Sequence, residues 1–73
     1  MSNKKASAKH LDKVLEQVGG RTALAAVCGL TDAAVYYWIK QGRVTSPPAA
    51  RFLEYYMQDK HGYKVKAKVL HGK

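Results

Sequence analysis

Apolar residues recur at i, i+3, i+4 and i+7 through Leu11, Val14, Leu15 and Val18, the period of an amphipathic helix. Ser7 is placed to cap it, and the first seven residues, with Lys4 and Lys5 among them, predict a flexible basic arm. Gly19 and Gly20 stop this helix, because glycine is costly inside a helix and cheap at its end. A second helix is expected from about Arg21 to Cys28, with Leu24, Ala25 and Cys28 on one side. Gly29 then allows a left-handed residue at the turn. Thr31 suits the N-cap of a third helix, and Asp32 complements its dipole. On a helical wheel Ala34, Val35, Trp38 and Ile39 fall on one half, with Asp32, Ala33, Tyr36, Tyr37 and Lys40 on the other. Gly42 ends it. Ser46-Pro47-Pro48 starts a fourth helix with an apolar stripe of Ala49, Phe52, Leu53 and Tyr56, closed at His61-Gly62.

The last segment changes period. Tyr63, Val65, Ala67 and Val69 alternate with Lys64, Lys66 and Lys68, which predicts a strand; the competing reading is a disordered basic tail. A single strand cannot satisfy its own backbone groups, so its expected partner is its twin in a second subunit. Tyr63, Val65, Ala67 and Val69 then form a dimer interface. The fold class is mainly α: a four-helix domain over residues 1–62, followed by a strand or tail over 63–73.

Composition narrows the function. Thirteen Lys and Arg against five Asp and Glu give a net charge of +8 in 73 residues, a field suited to phosphate backbones or anionic lipid. So small a chain has a marginal core, which dimerisation would help. One cysteine excludes an internal disulfide and suits a reducing cytosol. No apolar run approaches the length of a membrane span, and no apolar stretch follows the basic start as in a signal peptide. A soluble protein in the cytoplasm is therefore expected. The acidic residues form no convincing dyad, no Gly-rich phosphate loop is present, and His10, His61 and His71 lack the spacing or cysteine partners of a metal site. They read as surface histidines. Neither an enzyme, nor a cofactor, nor a small-molecule ligand is expected.

The second and third helices carry the chemistry. A small residue, Ala25, stands where a crossing helix would approach, Gly29 supplies the turn, and Leu24, Cys28, Leu30, Val35 and Trp38 are placed to lock the pair. That is a helix-turn-helix, with a third helix able to enter the major groove of DNA. Base-edge contacts are expected from Asp32, Ala33, Tyr36, Tyr37 and Lys40. Asp32 has the alternative role of a helix N-terminal charge, and Lys40 that of a phosphate contact. Phosphate contacts are expected from Arg21, Thr22, Thr31 and Arg43. Longer-range charge comes from Arg51 and the lysines at 4, 5, 64, 66 and 68.

The segment AAVCGLTDAAVYYWIKQGRV resembles the Cro-type phage repressors and their YdaS-like bacterial relatives. The likeness runs through Ala25, Gly29, Leu30, Ala34, Val35, Trp38 and Gly42 and covers residues 11 to about 48. It implies a phage or prophage homodimer that represses transcription at a pseudo-palindromic operator, and it says little about residues 49–73. An antitoxin-like regulator would share the same mechanism. The rival from another class is a basic interaction module for an acidic protein or RNA, with the helix pair as scaffold.

Overall fold

The protein folds as α1 (Asn3–Val18), α2 (Arg21–Cys28), α3 (Asp32–Gln41), α4 (Pro47–His61) and α5 (Ala67–His71). The computed structural model describes residues 3–72, with side chains from Ser7 onward. Met1 and Ser2 of the expected arm, and Lys73 of the expected tail, lie outside the described residues.

Local chemistry sets most of the helix ends. Thr31 Oγ1 accepts from the Ala34 N–H at 3.2 Å, and Ser46 Oγ accepts from the Ala49 N–H at 3.4 Å, so each side chain caps the helix that follows. Gly29 closes α2 in the left-handed region at φ 69°, its N–H directed at the Ala25 and Ala26 carbonyls. Leu30 N–H returns to the Ala25 carbonyl at 2.9 Å, which turns the chain sharply into α3. The bend from α2 to α3 is 114°.

One core joins all five helices. Leu11 and Val14 of α1, Leu24 and Ala25 of α2, Val35 and Trp38 of α3, Leu53 and Met57 of α4, and Leu70 of α5 are buried together. Each large side chain among them contributes about 1.5–3 kcal/mol by leaving water. Three residues expected inside are instead at the surface: Leu30 at 42% exposure, Ile39 at 38% and Phe52 at 44%. In α4 the inner face is Ala49, Ala50, Leu53 and Met57. The wheel centres that stripe about a quarter turn too far round, because the three large aromatics of the helix, Phe52, Tyr55 and Tyr56, outnumber the places its core face offers.

Two expectations for the chain termini are corrected. The described part of the N-terminal arm is helical, since α1 already runs from Asn3, and Ser7 sits inside it fully buried. Its hydroxyl donates to the Val69 carbonyl rather than capping a helix. At the other end no strand forms among the described residues, and the helices number five rather than four. Gly62 closes α4 in the left-handed region at φ 64°, residues 63–66 run without regular structure, with Tyr63 half-buried and Val65 buried, and then α5 begins. The inward residues thereafter are Ala67 and Leu70, three apart, while Val69 is only half-buried. The two-residue alternation is real as far as Val65 and ends there. With no strand to pair, the expected ribbon of Tyr63, Val65, Ala67 and Val69 does not form; Val65 belongs to the core of its own chain, with Tyr63 and Ala67 packed against it.

A helix of five residues is unstable alone, and α5 is held at both ends by distant groups. Glu54 Oε1 in α4 accepts from the Ala67 N–H at 2.8 Å, a carboxylate at the positive end of the helix. At the other end the Val69, Leu70 and His71 carbonyls accept from Ser7 Oγ, from Val44 N–H at 2.8 Å and from Arg43 Nη1 at 2.8 Å. These are orphan carbonyls of a helix C-terminus, met by tertiary donors. Gly72 follows at φ 79°, and a Cβ there would stand 2.7 Å from Ser7 Oγ, so the close approach of α1 admits only glycine. His10 Nδ1 and Tyr63 Oη share a further hydrogen bond at 2.5 Å, tying α1 to the segment before α5. Residues 63–72 thus pack into the same core as residues 3–62.

Candidate functional site

The outward face of α3 stands beside the N-terminus of α2, and side chains expected to touch DNA meet there. Thr22 Oγ1 donates to Asp32 Oδ2 at 3.0 Å, joining the first turns of the two helices across the surface. The Arg21 guanidinium lies 5.4 Å from the centroid of the Tyr36 ring, and Lys40 Nζ lies 5.8 Å from the same centroid. The negative face of the ring attracts both cations, an interaction of about 0.5–1 kcal/mol at an exposed site. Tyr36 is 48% exposed and Tyr37 53% exposed, so both hydroxyls remain available. Ala33 and Thr31 are exposed on the same helix, although the Thr31 hydroxyl is already used as the cap of α3.

This grouping follows from the fold of the pair. Leu24 and Ala25 face inward from α2 and Val35 and Trp38 from α3, which leaves Arg21, Thr22, Tyr36 and Lys40 facing outward. Tyr36 and Lys40 are one helical turn apart, so the lysine stem reaches back over the ring. Gly20 at the N-cap of α2 has no side chain with which to occupy the first-turn N–H groups. The site therefore combines two exposed cations, two phenol hydroxyls and the positive end of a short helix, with Asp32 its carboxylate. Such a surface attracts an anionic polymer and presents hydrogen-bonding groups above it.

Other expected contacts lie elsewhere or carry other duties. Arg43 is half-buried, and its guanidinium is directed to the His71 carbonyl at the end of α5. His10, read as a surface residue, is half-buried against Tyr63. His71 is half-buried as well, while His61 is exposed beside the Tyr56 ring. The backbone of residues 4 and 5 is helical, and the positions of those two lysine side chains lie outside the description. Pairing of Arg21 with Tyr36 escaped sequence reasoning, because fifteen residues and a sharp turn separate them. The outward aromatics of α4 were missed for a different reason: Phe52 was assigned to the core stripe, and Tyr55 was not singled out.

Cys28 sits at the end of α2, half-buried, and burial pushes its thiol up to about 11. Thiolate is the reactive form, so alkylation by iodoacetamide at pH 8 should be slow in the native protein and rapid in guanidinium chloride. Equal rates in the two states would contradict the packing of α2. The sign for stability follows from the raised value. The contribution is intact below the unfolded thiol's pKa of about 8.5 and is lost as pH rises towards 11.

Among the described residues no group of three or more His, Cys, Asp and Glu side chains is gathered as a metal site would require. No single described helix is long and apolar enough to cross a membrane. The chain matches no protein-family model, no curated protein and no solved structure.

Proposed function

We propose that this protein is a sequence-specific, double-stranded-DNA-binding repressor of the Cro-like kind, with α3 as the helix that enters the major groove. The observation that carries the reading is the convergence of Arg21, Thr22, Tyr36 and Lys40 on one exposed face of a helix pair bent by 114°. A bend of about 90–120° across a short, glycine-containing turn is the geometry of a helix-turn-helix. In that arrangement Tyr36 and Tyr37 meet base edges, where a phenol hydroxyl donates or accepts and the ring packs on a thymine methyl. Arg21 and the free N–H groups of the first turn of α2 lie against a phosphate. Lys40 reaches a phosphate or a guanine acceptor. Asp32 holds Thr22 in place, a role suited to a carboxylate that phosphates would repel.

The net charge of +8 supports the same reading, since neutralising phosphates releases counterions and drives binding at low salt. With its longest dimension at 31 Å, one copy matches a single half-site, and two copies fit half-sites about 34 Å apart on one face of the duplex. Occupation of such a site within a promoter blocks polymerase.

Selection of binding sites from random duplex DNA tests this directly. An enriched inverted repeat, bound well above random DNA at two salt concentrations, is the expected result. Binding that enriches no sequence and merely falls steeply with salt would overturn it and leave charge alone as the cause.

A further inference from the structure

The face of α4 turned away from the core exposes large aromatic side chains that the DNA-binding reading does not use. Phe52 is 44% exposed and Tyr55 66% exposed. They form a ridge between two open grooves on the same helix. A groove of about 580 Å³ includes Pro48 and Arg51 in its walls, and one of about 780 Å³ includes Gln58 and Asp59; Phe52 and Tyr55 line both. Behind the ridge the half-buried Tyr56 stacks on Phe52, with ring centroids 5.5 Å apart, which holds the Phe52 ring outward. A ridge with a groove on either side is a shape that another helix surface complements.

We propose that this face is a self-association surface, on which a second copy packs its own α4 antiparallel about a two-fold axis through Tyr55. Under such an axis each residue faces the one equally far beyond Tyr55 in the partner. Arg51 lies four residues before Tyr55 and Asp59 four residues after it. Arg51 of each copy therefore meets the partner subunit's Asp59, and the two pairs bracket the central rings at positions about 12 Å apart along each helix. Parallel packing would instead oppose like charges. Isologous contact of this kind uses one self-complementary patch twice. Asp59 is otherwise paired with the adjacent Lys60 at 3.8 Å, both exposed, an ion pair of little strength that a second copy displaces readily.

Taking about 200 Å² for a whole aromatic side chain, Phe52 and Tyr55 together expose about 220 Å² per copy. The groove walls must close with them to approach the about 1,000 Å² of a specific interface. The pair is thus a weak one, strengthened when DNA holds two copies side by side. This inference rests on the DNA-binding reading for its purpose, and on the α4 surface alone for its chemistry.

Charge exchange tests the register. In sedimentation equilibrium up to about 1 mM, a range that detects even millimolar dissociation constants, the unaltered protein should dimerise. Arg51→Asp and Asp59→Arg should each sediment as monomers with unchanged circular dichroism, both positions being exposed. An equimolar mixture of the two variants should dimerise again, because each cross-contact then joins an acid to an arginine. Tyr55→Glu should be monomeric alone and in every mixture. A monomeric wild type, undiminished dimers in any of the single variants, or failure of the mixture to recover would each overturn the proposal. Loss of self-association with an enriched DNA site would remove this inference alone. Dimers that enrich no DNA site would remove the DNA-binding reading alone.

Discussion

Leu70→Ala should cost about 2–5 kcal/mol of stability, although only three residues follow it in the sequence. Leu70 is fully buried in the core with Leu11, Leu53 and Met57. A domain of this length has a total stability of about 4–11 kcal/mol, so the substitution removes a large share of it. Each kcal/mol corresponds to about 4–8 °C in a domain of this size, and the thermal midpoint should fall by about 10 °C or more. Thermal unfolding followed by circular dichroism at 222 nm reads this directly. Val69→Ala provides the contrast, since Val69 is half-buried and should cost much less. If the C-terminal segment were a strand with Val69 on its buried side, the order would reverse; if it were a tail, neither substitution would cost much. A change within about 0.5 kcal/mol for Leu70→Ala would show that α5 does not pack as described.

Tyr36→Ala should weaken binding to the selected DNA site by about 1–3 kcal/mol, a loss of about 5- to 150-fold, and leave binding to random DNA nearly unchanged. Arg21 and Lys40 both lie against the ring, so its removal takes away a base contact and also releases the two cations it orients. Tyr36→Phe separates these effects. It retains the cation–ring contacts and removes the hydroxyl, so any loss it shows belongs to hydrogen bonding with the base edge. Competition titration of the variants against specific and random duplexes, at one fixed salt concentration, measures both terms. Equal weakening on the two DNAs would make Tyr36 part of the electrostatic surface and remove it from base reading.

The helix pair was the most legible part of the chain. Its ends are written in local chemistry: Thr31 as a cap, and Gly29 and Gly42 as left-handed stops. Val35 and Trp38 repeat at a spacing that places them inward, and they are buried. The outward position of Tyr36, Tyr37 and Lys40 follows from the same period. Such signals are readable because they act within one turn of helix, a distance fixed by backbone geometry. Leu30 and Ile39 show the limit of that reading: hydrophobicity says that burial is favourable, and the surrounding packing decides whether space exists for it.

The C-terminal segment was misread for a related reason. Five helical residues hold too little periodicity to compete with the alternation that precedes them, and no residue within α5 caps its N-terminus. Its hydrogen-bond partners are Glu54, Val44, Arg43 and Ser7, which are 13 to 62 residues away or belong to other elements. Ser7 illustrates the same point from the other end. A serine before an apolar run is a good cap by local rules, yet here it is buried because α5 lies against it.

By itself the sequence determined the helix boundaries from Arg21 to Gly62, the inward positions of Leu24, Ala25, Val35 and Trp38, and the strongly basic charge. These depend on capping, on glycine backbone freedom and on composition, all of which are local or additive. Only the tertiary structure decided that the two ends of the chain close on each other, that Arg21 and Lys40 share the Tyr36 ring, and that Phe52 and Tyr55 face outward. Those outcomes depend on which surfaces compete for one small core, and on contacts between residues whose separation along the chain carries no periodic signal.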